Sequence, residues 1–194
     1  MAQRGSYAKG VAKREEILST ALEVIARNGY RRTSVRELAD AVGLSQAGLL
    51  HYFSSKEELF TEVLRKRDDV DARRRDLVSD PFDALTDTIS HNADVGGLVR
   101  LYVQLSADAT DGEHPANPYF TERYATLRTT LTQAIAAEQD AGRLRPDVSA
   151  AQLATVVIAT MDGLQTQWLL DPSIDMVGAV ESVIALATTA EPHR

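Results

Sequence analysis

Between Ser45 and Lys56 the chain reads SQAGLLHYFSSK. The chemistry on offer there is recognition rather than bond making. Gln46 carries an amide whose donor and acceptor match the major-groove edge of adenine. His51, Tyr52 and Lys56 carry donors suited to phosphate oxygens, which position a protein without reading sequence. Ala47 and Gly48 are small enough to let the backbone come close to a partner. Nothing comparable is assembled for catalysis. The histidines at 51, 91, 114 and 193 have no metal-ligand spacing, and the chain has no cysteine. It also has no Gly-rich phosphate loop and no G-x-S-x-G elbow. Glu113-His114 is an acid–base pair in a loop, and solvation is its simplest reading. No enzyme activity, metal or cofactor is expected.

Groups of this kind need elements to hold them, and the pattern around them is helical. A first helix is expected from about Val11 to Asn28, with Ile17, Leu18, Ala21, Leu22 and Ile25 on one face. Gly29 follows, as favoured just past a helix end. Ser34 and Glu37 have capping-box spacing at the start of a second helix, which carries Val35, Leu38, Ala39 and Val42 on one face and stops at Gly43. Ser45 caps a short third helix whose buried side is Leu49 and Phe53. Ser55 and Glu58 form another capping box, and Leu59, Phe60, Val63 and Leu64 begin a longer fourth helix. Its continuation, RKRDDVDARRRD, reads as a solvated face and a junction. Two short helices joined by the Gly-containing turn Val42 to Ser45 make a helix-turn-helix, whose second helix enters the major groove of DNA.

The charge distribution agrees with that role. The 194 residues carry a net charge of −7, yet residues 1–67 hold 12 Lys/Arg against 8 Asp/Glu, while residues 68–194 hold 9 against 20. A basic end on an acidic body suits a protein that brings one end to DNA. Arg4, Lys9, Lys13 and Arg14 are available to follow a phosphate backbone. The opening stretch, MAQRGSYAKGVAKREE, reads as a basic arm and lacks the apolar core of a signal peptide. No apolar run approaches the ~18 residues of a membrane span, and the absence of cysteine fits a reducing compartment. A cytoplasmic location is expected.

After Asp80-Pro81 the chain continues as helices. PFDALTDTISHNADV and GGLVRLYVQLSADAT are two of them. A long helix around Phe120 to Gly142 follows, then Ser149 to Leu170, then Met176 to about Thr188. The fold class is therefore all-α: an N-terminal three-helix helix-turn-helix DNA-binding domain followed by a second helical domain. The expected division is a flexible basic arm at 1–10, a DNA-binding domain at 11–56 with the start of a connecting helix to about 70, and a C-terminal domain at 71–194.

Residues 11–60 resemble the DNA-binding domain of the tetracycline-repressor (TetR) family, through ILSTALEVIARNGYRRTSVRELADAVGLS and LLHYFSSKEEL. The resemblance implies that the second helical domain is a ligand-binding and dimerisation domain, and that the protein is a two-fold homodimer, usually a repressor, whose near-palindromic operator is released when a small molecule binds. Carried across position by position, it implies DNA contacts from Thr33, Ser34, Arg36, Ser45, Gln46, Ala47, Gly48, His51, Tyr52 and Lys56. Many members carry a hydroxyl residue where this chain has Gly48 and a tyrosine where it has Leu50, so the familiar half-site patterns do not transfer directly.

The helix Ser149 to Leu170 is apolar on more than one side, which calls for burial on more than one side. A partner subunit would cover the second face, and a central place in a monomer core is the alternative. Val157, Met161, Leu164, Val180 and Ile184 are the expected dimer contacts. His91, Tyr102, Gln104, Tyr124, Asp162, Gln165 and Trp168 combine aromatic surface with polar tips and form the shortlist for an unknown small-molecule effector. The partners expected are thus double-stranded operator DNA, a second copy of the chain and that effector. A helical protein-interaction module is the rival from another class, and a small all-α enzyme a remoter one.

Overall fold

In the computed structural model, residues 2–29, 32–75 and 80–188 are described. Over these residues the chain is all-α. Its helices are α1 (Ala2–Asn28), α2 (Val35–Ala41), α3 (Gln46–Leu50), α4 (Lys56–Arg75), α5 (Pro81–Asp94), α6 (Gly96–Asp108), α7 (Asn117–Asp140), α8 (Ala150–Leu170) and α9 (Met176–Ala187). The one ladder fragment among the described residues is an isolated antiparallel bridge, Leu144 to Thr188. No helix among them is long and apolar enough to cross a membrane. His193 lies outside the described residues.

The helix ends follow local chemistry. Gly29 closes α1 at φ 82°, with its N–H on the Ile25 carbonyl at 2.9 Å. Asp80 caps α5 by accepting from the Phe82 and Asp83 N–H groups at 2.8 and 3.1 Å. The expected arm is different: residues 2–10 are the first turns of α1. Ala2, Gln3, Arg4, Ala8 and Lys9 are strong helix formers, and they carry the helix through Gly5 and Gly10 despite about 1 kcal/mol lost at each.

The chain packs as two units. One comprises residues 1–73 and 95–119, and the other 74–94 and 120–194. This division does not follow chain order, because α6 packs with α1 inside the first unit. A Cβ built on Gly97 would lie 2.1 Å from the Ile25 carbonyl oxygen and 2.9 Å from the Gly29 Cα. Only glycine allows that approach of one helix backbone to another. Also buried in this unit are Ile17, Ala21, Ile25, Leu38, Leu49, Phe53, Leu59, Phe60, Val63 and Leu64, together with Leu98, Leu101 and Tyr102 of α6.

The charged run of α4 is not wholly solvated. Arg67 and Asp71 are buried. The Arg67 guanidinium lies 5.0 Å from the centre of the Tyr102 ring, with Nη2 3.3 Å from Asp68 Oδ1 and Nε 3.7 Å from Asp71 Oδ2. Tyr119 donates its hydroxyl to Asp68 Oδ2 at 2.6 Å. Burial of a guanidinium is tolerated here because carboxylates and an aromatic face surround it.

In the second unit, α9 packs on α8 and α5. One apolar cluster joins Leu131, Ile135, Leu144, Leu153, Ala154, Val157 and Ala187, and another joins Ile89, Leu164, Met176 and Val180. Three of the expected dimer contacts are corrected by this packing, while Met161 and Ile184 keep part of their surface open. Val157, Leu164 and Val180 are buried within the chain's own core, and Met161 and Ile184 pack against the same clusters. The strongest apolar face of α8 is spent inside the unit. What stays open is the weaker face, with Val156 51 % and Leu170 84 % exposed, while Leu186 of α9 is 77 % exposed.

Candidate nucleic-acid interface

The turn between α2 and α3 is built by backbone geometry. Gly43 adopts φ 68°, a conformation most L-residues avoid, and its N–H reaches the Asp40 carbonyl at 3.2 Å. Leu44 N–H reaches the Ala39 carbonyl at 2.8 Å. Ser45 then caps α3, its hydroxyl accepting from the Gly48 N–H at 3.0 Å. A Cβ on Gly48 would lie 3.2 Å from that hydroxyl, so the small residue keeps the cap uncrowded. Leu49 and Phe53 anchor the rear of the segment in the core. Gln46, Ala47, Leu50 and His51 remain exposed.

The flanks are fixed by further caps. Ser34 accepts from the Glu37 N–H at 3.1 Å, while the Glu37 carboxylate accepts a hydrogen bond from Asn28 Nδ2 at 3.1 Å instead of reaching back to Ser34. Ser55 accepts from the Glu58 N–H at 3.0 Å, and Glu58 Oε2 accepts from the Ser54 N–H at 2.7 Å. Hydrogen bonding from the Ser54 side chain first and its N–H second, with help from nearby Arg14, holds the Glu58 carboxyl below the ordinary carboxylate range. The His51 and Tyr52 rings meet edge to face at 6.0 Å, and Lys56 Nζ lies 5.4 Å from the centre of the Phe60 ring.

Most of the expected DNA-contacting residues are brought to the α2–α3 segment and its borders. Arg36 is 78 % exposed, with Asp40 at 4.0 Å. Ser34, Ser45, Gln46, Ala47, His51 and Lys56 are exposed or partly so, and Gly48 and Tyr52 lie at the same surface. Thr33 departs from expectation. It is buried, and its hydroxyl donates to the Gly29 carbonyl at 2.9 Å, closing the α1–α2 connection rather than facing outward. Two of the expected backbone-tracking cations are also committed internally. Lys13 donates to the Val42 carbonyl at 3.0 Å and pairs with Glu16 at 2.8 Å. Arg14 pairs with Glu62 at 2.7 Å and lies 4.9 Å from the centre of the Phe53 ring. Lys9 is exposed, and the Arg4 side chain lies outside what is described. Lys13 and Arg14 fasten α1 to the end of α2 and to α4, which flank α3.

The effector shortlist is divided between the units. Tyr102 is buried beside Arg67, and Gln104 is exposed; both belong to the first unit. His91, Tyr124, Asp162, Gln165 and Trp168 belong to the second. There Tyr124 donates its hydroxyl to Asp162 Oδ2 at 2.6 Å, and the Phe120 and Tyr124 rings lie 6.3 Å apart. Trp168 packs on the cluster of Ile89, Leu164, Met176 and Val180. Gln165 is buried and donates to the Met161 carbonyl at 3.3 Å. The residue that sequence reasoning passed over is Leu50, seen there only as a missing tyrosine. The available signal was its place next to Leu49: two consecutive residues cannot share one buried helix face.

Comparison with known proteins agrees with this geometry. Residues 17–63 match the family of bacterial regulatory proteins of the tetR type, and residues 98–190 match the C-terminal region of BetI-type transcriptional repressors. The transcriptional repressor KstR2 of Rhodococcus jostii is 38 % identical over 104 residues, covering 54 % of this chain and 46 % of that protein. The chain thus spans about half the length of that relative. The repressor AcnR of Corynebacterium efficiens is 29 % identical over 172 residues, covering 80 % and 81 % of the two chains. In fold alone, a transcriptional regulator from Saccharomonospora viridis, solved in complex with choline, aligns over 91 % of this chain and 98 % of that one with a TM-score of 0.72 at 24 % identity. With a helix-turn-helix built by its own caps and both parts of the chain matched, this protein belongs to the tetR family of bacterial transcriptional regulators.

Proposed function

We propose that the chain is a ligand-responsive transcriptional repressor in the cytoplasm, binding a near-palindromic operator as a homodimer and leaving it when a small molecule binds. The observation that carries the reading is the outward presentation of Gln46, Ala47, Leu50 and His51 on a segment anchored behind by Leu49 and Phe53. A helix mounted in this way meets the major groove with its exposed residues. Ser34, Arg36, Tyr52 and Lys56 then lie at the borders as phosphate contacts. The test is selection of bound duplexes from a random pool, followed by titration at rising salt. An enriched inverted repeat whose affinity falls steeply with salt supports the reading, because phosphate contacts release counterions. Indifference to every duplex at low ionic strength would sink it.

For the dimer, the open faces of α8 and α9 take the place of the buried Val157, Leu164 and Val180. Val156, Ala159, Gly163 and Leu170 fall on one side of α8 by helical spacing, and Leu186 is open on α9. A second copy would remove this surface from water. Val156→Glu is expected to sediment as a monomer, and an unchanged dimer would refute this face. For the effector, the pairing of Tyr124 with the half-buried Asp162 carboxylate suits a small organic cation, since an aromatic face and a carboxylate both attract positive charge. The choline held by the Saccharomonospora regulator belongs to that class. Operator affinity measured with and without choline decides for that compound: equal values exclude it.

A further inference from the structure

The exposed side of α3 ends in a leucine. Leu50 is 38 % exposed, whereas its neighbour Leu49 is fully buried. Ala47 is exposed three residues earlier, which makes the two neighbours on the helix surface. The segment therefore presents an apolar strip between the Gln46 amide and the His51 imidazole. The other large exposed hydrophobics among the described residues, Val11, Val70, Val156, Leu170 and Leu186, all lie outside the helix-turn-helix.

The floor of the major groove offers such a strip one kind of match. Among the four bases only thymine carries a methyl group there, at C5, beside its hydrogen-bonding edge. Against a cytosine amino group or a guanine carbonyl, an aliphatic side chain would displace water and leave a polar group without a partner. Against a thymine methyl, both surfaces leave water together. We propose that Leu50, with Ala47 beside it, reads a thymine methyl in each operator half-site, next to the base pair read by Gln46. The proposal rests on the docking of α3 in the major groove. Its discrimination is about fourfold per half-site, from the transfer free energy of one methyl group, and about 15-fold for a symmetric pair.

The test uses the full chain and the duplex enriched by selection. Each thymine of a half-site is replaced in turn by deoxyuridine, which removes the methyl and keeps every hydrogen-bonding group. At one position per half-site the wild-type protein loses about fourfold in affinity, and about 15-fold when both half-sites are changed. Leu50→Ala loses most of the sensitivity at that position, only the contact from Ala47 remaining, and Leu50→Met keeps most of it. Thermal transitions confirm that both variants fold. The proposal is overturned by a wild-type protein insensitive at every thymine, by an enriched operator without thymine beside the Gln46 position, or by full sensitivity retained in Leu50→Ala. Failure to enrich any duplex is a different result: it removes the DNA-binding reading itself.

Discussion

Replacing Gly97 by alanine sets two ordinary effects against each other. Glycine within a helix costs about 1 kcal/mol relative to alanine, so propensity alone has Gly97→Ala stabilise α6 by that amount. The packing with α1 argues the reverse. The added Cβ would sit 2.1 Å from the Ile25 carbonyl oxygen, about 1.3 Å short of ordinary contact at 3.4 Å. The obstacle is backbone at the end of α1, so no rotamer change relieves it and the helices must part. Overpacking of this kind costs roughly 1–3 kcal/mol, and a backbone obstacle places it at the upper end. The net is a loss of about 2 kcal/mol, which for a chain of this size lowers Tm by roughly 4–8 °C. Urea and thermal unfolding measure both quantities. Gly10→Ala is the internal control: a Cβ there meets nothing within 4 Å, so that variant is expected to be unchanged or slightly more stable. A Gly97→Ala protein as stable as the wild type, or more so, would show that helix propensity governs the site and that the close approach of α1 to α6 is absent.

Gln46→Ala is expected to weaken the preferred operator by about 1–3 kcal/mol and to relax preference at one position per half-site; uniform weakening across all sequences would remove Gln46 from base reading. Arg36→Ala is expected to weaken all duplexes alike and to reduce the slope of log affinity against log salt by about one unit for each phosphate no longer neutralised, which titration at several salt concentrations measures. Glu138 supplies a pH test. The Arg143 guanidinium, donating to Glu138 Oε1 at 2.6 Å, holds that carboxyl below the ordinary carboxylate range. Its folded pKa is therefore the lower one, and its contribution to stability is complete above about pH 4.3 and fades as pH falls through the folded value. Glu138→Gln is accordingly less stable than wild type near pH 7, and the difference in urea midpoint shrinks in acid; a constant difference would contradict the linkage.

Much of the helix-turn-helix was legible because its signals are local. Ser34, Ser45 and Ser55 cap their helices within three residues of themselves, and Gly29 and Gly43 take the positive φ that ends them. The exposure of Gln46, Ala47 and His51 follows from the burial of Leu49 and Phe53 at helical spacing. Residues with long side chains were harder to place. Lys13 and Arg14 looked free to meet phosphate, but each finds an oxygen distant in sequence, on Val42 and Glu62. Arg67 and Asp71 sat in a run that read as solvated and are buried beside Tyr102. Their partners are brought by packing, which local pattern does not encode.

The order of the helices, their caps and the composition of the exposed face of α3 were determined by the amino-acid sequence alone, since each depends on neighbours within a turn or two. The grouping of α6 with the N-terminal helices through Gly97, the inward turn of Thr33 and the choice of which side of α8 stays open were decided only by tertiary structure. On a helix that is apolar nearly all round, periodicity offers several faces of similar hydrophobicity. The neighbours that cover one of them, α9 and the cluster around Ile135, come from elsewhere in the chain.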